Sequence, residues 1–139
     1  MIAPAVAPAP ASLHVAAPRV RGVRGATTVE ADTPAHVDAA VAELLGALAA
    51  RNGIGPDDVV SAIFSTTADL RSRPPAASAR AIGWTDVPML CVAEMEVAEP
   101  LAHCVRVLLH VAVADGRSLR PVYLRDARSL RPDLVGDAR

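Results

Sequence analysis

Residues 32–53 constrain this fold more than any other stretch: Asp32-Thr33-Pro34 opens, and Asn52-Gly53 closes, a run with Val37, Val41, Leu44, Leu45 and Leu48 at helical spacing. A polar cap, proline at the first helical position and glycine after the last turn suit the ends of an α-helix, whose first N–H groups need acceptors and whose exit favours a left-handed residue. The apolar stripe lies on one side, so this helix must rest on another apolar layer. The segments around it have strand length instead, at 20–28 (VRGVRGATT), 59–65, 87–93, 104–113 and 121–124. Residues 104–113 fit either period, and their four valines together with the Gly116 turn favour a strand. A shorter helix is expected over about 76–82, ended by Gly83, and a tail at 127–134 pinned by Leu130 and Leu134. The order β-α-β-α-β-β-β describes an α+β domain, with one long and one short helix packed on a mixed β-sheet. The 59–65 run reads as a buried strand. Two such helices cover one face of a sheet whose strands are apolar at most positions, so the opposite face needs a partner and oligomerisation is the economical answer.

At 139 residues the chain fits one domain, placed at 20–134. Residues 1–19 carry Pro4, Pro8, Pro10 and Pro18 among alanines, a composition for an extended, flexible arm. With no basic start and no unbroken apolar stretch, they read neither as a signal peptide nor as a membrane span. A short tail follows at 135–139. Lys+Arg number 14 and Asp+Glu 15, for a formal net charge of −1, which leaves no broad footprint for nucleic acid or an anionic membrane. Every basic residue is arginine, so Schiff-base lysine chemistry and a Walker-type phosphate lysine are excluded. Cys91 and Cys104 lack CxxC spacing and are too few for a disulfide scaffold or a structural zinc site, which points to a reducing cytoplasm. His14, His36, His103 and His110 show no metal-ligand spacing, so neither metal nor cofactor is expected.

The residues that could carry chemistry are Arg24, Arg80, Cys91, Glu94, Arg106, Tyr123 and Arg131. Arg106 is the most unusual, because a guanidinium within CVRVLLHV must find an anion or a solvent-lined cavity. An arginine on the solvated face of an alternating strand, or one paired to a carboxylate, meets the same pattern. Glu94 and Glu96 also read as a solvated strand terminus, Tyr123 as a half-buried strand aromatic, and Cys91 as a core residue without a neighbour that would activate a thiolate. Taken singly, none of these residues identifies a reaction.

Their longer words do. RGVRGATT at 21–28, VPMLCVAEMEV at 87–97, CVRV at 104–107 and VYL followed by LRPDL within 122–134 stand in order. Together they resemble the AroH class of monofunctional chorismate mutases, over about 20–134. The resemblance implies a homotrimer with a pseudo-α/β barrel and active sites at subunit interfaces. It also implies conversion of chorismate to prephenate by a Claisen rearrangement, in phenylalanine and tyrosine biosynthesis. Arg24 then holds a substrate carboxylate, Arg106 lies by the ether oxygen, and Glu94 with Cys91 meets the ring side where the hydroxyl is bound. Tyr123 stands beside the other carboxylate, Arg80 and Arg131 belong to the pocket mouth and tail, and Leu130 and Ala76 complete the substrate contacts. The chain departs from the family pattern at Pro74 and Ala77, where many relatives carry an aromatic and a lysine. Arg80 is kept, and Arg71 or Arg73 is expected to reach the same mouth. Two other trimeric readings use a carboxylate-gripping arginine: a Rid-type enamine or imine deaminase, and a non-catalytic module that senses a carboxylate metabolite. The first shares fewer of these words, and fold analogy alone does not separate the three.

Overall fold

The structure is a computed structural model that describes residues 3–5 and 17–135. Five strands, β1 (Arg19–Thr28), β2 (Val59–Thr66), β3 (Met89–Ala93), β4 (Cys104–Val113) and β5 (Val122–Tyr123), form one mixed sheet in the order β3-β2-β4-β1-β5. β4 pairs antiparallel with β1 and β2, while β3 joins β2 and β5 joins β1 in parallel. Helices α1 (Pro34–Asn52) and α2 (Pro75–Ala81) supply the long and the short helix, and the β-α-β-α-β-β-β order holds. Beyond it the chain adds 3-10 turns at Pro56–Asp58 and Arg125–Leu130 and a one-turn α3 (Pro132–Val135). β1 takes in Arg19, the last residue assigned to the arm, most of which lies outside the described residues.

The long helix forms as its ends dictate. The Thr33 side chain accepts a hydrogen bond from the His36 N–H, Pro34 occupies the first turn, and Gly53 leaves in the left-handed conformation at φ 60°. Val37, Val41, Leu44, Leu45 and Leu48 are all fully buried on the sheet. Gly25 allows this close approach, since a Cβ there would stand 2.8 Å from Leu48 Cδ1 and 3.1 Å from Leu44 Cδ1. Asn52, expected only as a helix stop, is buried and also ties α1 to a distant loop. It donates to Leu48 O and Arg120 O, and accepts from the Arg120 N–H at 2.7 Å.

Strand alternation then decides what remains open. In β4, Val105, Val107, Leu109, Val111 and Val113 are buried, whereas Arg106, Leu108, His110 and Ala112 turn to the other face. β2 is correspondingly not buried on both sides: Val59, Ala62 and Phe64 are buried, while Ser61, Ile63 and Ser65 stay accessible beyond a bulge at Val60. Among the described residues the helices cover one face of the sheet, and on the other face the ends of β1 and β4 are buried at Ala26, Thr28 and Cys104 while β2 and β3 stay open. Leu90, Val92 and Ile63 therefore lie exposed on the opposite side. Cys91, read as a core residue, is exposed as well, because β3 is an edge strand. At the C-terminal end the anchor is Ala127, fully buried, and Leu130 and Leu134 are only partly covered. The small side chain is buried in the 3-10 segment, which packs on β1, while Leu130 is left to line the open face of the sheet. Among the described residues no helix is long and apolar enough to cross a membrane.

Candidate active site

The sheet register places the chemistry on the face without helices. Ala26 of β1 and Ser65 of β2 flank Arg106 of β4, Tyr123 of β5 lies beside Ala26, and Leu108 lies beside Arg24. These neighbours line a cavity of about 460 Å³ with Arg24, Arg106, Tyr123, Leu130 and Arg131 in its wall. That size suits a small organic ligand, since such sites span roughly 300–1,000 Å³. Ile63, Val92 and Leu108 give the cavity an apolar side. A flat or stretched ligand carrying two anionic groups matches a site with three guanidinium groups, one phenol and an apolar wall.

Glu94 joins the site through Arg106. Its backbone N–H continues the β2–β3 ladder by one bond, to Thr66 O at 2.9 Å, which carries the carboxylate around the end of β3. Glu94 Oε1 lies 3.5 Å from Arg106 Nε, and Oε2 accepts from the Ser65 hydroxyl. Arg106 thus has both of the things an arginine in an apolar strand requires, an anion and an open cavity. Its side chain is 47 % accessible within one chain, so the chain alone does not desolvate it. An ordinary ion pair on a strand face would share this geometry. What separates the site from one is the convergence of Arg24, Arg131 and Tyr123 on the same cavity.

Arg131 meets Asp133 in a two-pronged pair, Nε to Oδ1 at 3.0 Å and Nη2 to Oδ2 at 2.8 Å. The hydrogen bond to Asp133 pushes Arg131 up, and the one from Arg131 holds the Asp133 carboxyl below the usual carboxylate range. Arg24 makes no ion pair of this kind among the described residues. Its guanidinium is the cavity's least committed cation.

Three residues expected at the site stand elsewhere in the chain. Cys91 lines a separate depression of about 350 Å³ with Arg71, Arg73 and Pro75, on the side of β3 that faces α2. Ala76 is buried in α2, and Arg80 is exposed near the end of that helix. A single chain brings none of them to Arg106. Ser65, Ile63 and Leu108 were not singled out by sequence, although the Ser61/Ser65 alternation in an apolar strand carried the signal for Ser65. Among the described residues no group of three or more His, Cys, Asp and Glu side chains gathers as a metal ion would need.

Comparison with known proteins adds a family to this geometry. The model of the family described as chorismate mutase type I matches residues 20–134. Chorismate mutase AroH of Bacillus subtilis (strain 168) is 40% identical over 107 residues, covering 76% of this chain and 84% of that protein. Chorismate mutase AroH of Thermus thermophilus is 44% identical over 108 residues, covering 76% and 88%. The solved chorismate mutase from Clostridium thermocellum superposes with a TM-score of 0.75 at 38% identity, covering 79% of this chain and 99% of that one.

Proposed function

This chain belongs to the type I chorismate mutase family and has that family's isomerase activity on chorismate, and from that premise we propose how its residues carry the reaction. The rearrangement of chorismate to prephenate breaks a C–O bond and forms a C–C bond within one molecule, and it moves no proton. The site therefore has two tasks. It must hold the enolpyruvyl side chain over the ring in a near-attack geometry, and it must stabilise negative charge gathering on the ether oxygen. Arg24 grips one substrate carboxylate, Tyr123 and Arg131 stand by the other, and Leu130 packs against the substrate. Arg106 faces the ether oxygen, where its positive charge acts more strongly in the transition state than in the ground state. Glu94 orients Arg106 and meets the ring hydroxyl.

The catalytic assembly is a homotrimer with a pseudo-α/β barrel, and its active sites lie between protomers. Two features support this. The face bearing the cavity exposes Ile63, Leu90 and Val92, which a neighbour would cover. Cys91, Ala76 and Arg80 stand apart from Arg106, so the residues at 76, 80 and 91 serve the cavity of an adjacent protomer. Residues 20–134, extended to Arg19 by β1 and to Val135 by α3, form the catalytic domain between an N-terminal arm and a short tail. The two free cysteines fit a cytoplasmic location.

The observation that carries this mechanism is the convergence of Arg24, Arg106, Arg131 and Tyr123 on one cavity beside the Glu94 carboxylate. The test combines the disappearance of chorismate absorbance with mass in solution. Turnover by a particle of three chains is expected. Full turnover by a monomer would overturn the shared-site arrangement.

A further inference from the structure

The loop from β2 to α2 carries two arginines into the depression beside Cys91, and their situations differ. Arg73 is committed to its own chain, with Nε 2.5 Å from Asp38 Oδ1 and Nη2 3.4 Å from Ala77 O. Arg71 is held mainly at its root. Its backbone N–H lies 3.1 Å from each Asp32 carboxylate oxygen, and its Nε donates to Ala68 O at 3.1 Å. The adjacent Ser72 N–H donates to the same carboxylate at 3.0 Å. Among the described residues, Arg71 forms no ion pair. The lining of the depression contains no acidic side chain. A guanidinium with a fixed root and uncommitted terminal nitrogens, in the wall of an acid-free depression, is arranged to receive an external carboxylate.

We propose that Arg71 is a substrate-binding residue, gripping one carboxylate of chorismate from the protomer side that carries Cys91. The inference rests on the shared-site reading above, in which this depression closes over the cavity of the adjacent protomer. Asp32 acts on the same step indirectly, because it fixes the backbone from which Arg71 projects. Arg73, neutralised by Asp38, holds the loop to α1 and leaves the substrate to Arg71.

The test compares Arg71→Ala, Arg71→Lys and Arg73→Ala in chorismate turnover and mass in solution, with Arg106→Lys as the internal reference. A charge-assisted hydrogen bond lost equally from ground and transition states raises KM by about tenfold in Arg71→Ala and leaves kcat within about threefold. Arg71→Lys falls between Arg71→Ala and the unmodified protein, because an ammonium keeps the charge and loses the fork. The salt dependence of KM becomes shallower in Arg71→Ala. Arg73→Ala lowers the melting temperature and leaves KM within about twofold. An unchanged KM in a trimeric Arg71→Ala enzyme whose Arg106→Lys counterpart loses rate overturns the role of Arg71 alone. A fully active monomer overturns the shared site, and the role of Arg71 with it.

Discussion

Glu94, just past the end of β3, meets Arg106 of β4: Glu94 Oε1 stands 3.5 Å from Arg106 Nε, and the other carboxylate oxygen is engaged by the Ser65 hydroxyl. The carboxylate is thereby fixed from behind, and it occupies the Nε edge of the guanidinium. The Cys104 thiol also lies against this guanidinium, which lines the cavity beside Arg24 and Tyr123. Loss of one oriented donor to developing negative charge typically costs about 10² to 10³ in rate. Arg106→Lys is expected to fold and assemble and to lose about 10² or more in kcat, because a lysine ammonium cannot present the same edge to Glu94 and the same face to the ether oxygen. Steady-state rates beside mass in solution check this, and turnover close to that of the unmodified protein would remove Arg106 from the mechanism.

Cys91 is exposed in the depression on the α2 side of β3, away from the Arg106 cavity. The rearrangement needs no nucleophile, so the thiol is at most a polar contact. Cys91→Ser should keep kcat/KM within about tenfold, the scale of one neutral hydrogen bond. Complete inactivity in a folded trimer would contradict that role.

Gly25 sets the distance between β1 and α1. An alanine Cβ would meet Leu48 Cδ1 at 2.8 Å, Leu44 Cδ1 at 3.1 Å and Val107 Cγ1 at 3.3 Å, and all three neighbours are held in the core. Gly25→Ala is expected to destabilise by about 1–3 kcal/mol through overpacking. Denaturant midpoints at a fixed protomer concentration measure it, and an unchanged midpoint would mean that α1 shifts freely on the sheet.

Acid should weaken the contacts between the helical layer and the β2–α2 loop. Asp38 is held below the usual carboxylate range by the Ser78 hydroxyl and by Arg73, and Asp32 by Ser72 and the Arg71 N–H, in each case against some desolvation. A folded-state value below the unfolded one, about 3.9, means that the unfolded chain binds more protons between the two. The stabilisation is complete above about pH 3.9 and is lost as pH falls through the depressed values. Unfolding midpoints followed from neutral pH to pH 3 should drop in that window, and Asp38→Asn should be less stable at neutral pH with a shallower drop. Parallel pH profiles for the two proteins would exclude Asp38 as a contributor.

The local elements were legible because their causes are local. Thr33, Pro34 and Gly53 supply the helix ends in the sequence itself, and the valines of 104–113 supply a strand whatever lies beside them. Strand burial was legible only in part. Phe64 and Ile63 are adjacent large apolar residues, yet one is buried and the other exposed, because burial depends on how many layers cover the sheet. The tail shows the same limit: Ala127 proves the anchor and Leu130 the cavity wall, an assignment that side-chain size alone reverses.

For the site, the inventory is already present in the residue order: arginines and no lysine, a glutamate just after an apolar strand, an arginine within another, and the ordered words that resemble the family. Hydrogen-bonding type and charge are properties of single residues and need no fold to be read. Their grouping comes from strand pairing. The register of β4 between β1 and β2 sets Arg106 beside Ser65 and Ala26, and the parallel pairing of β5 brings Tyr123 alongside. The face of edge strand β3 that carries Cys91 turns that thiol away from them. Pairing register and strand face are relations between segments far apart in the chain, set by which apolar sides can be buried together. No single segment contains them.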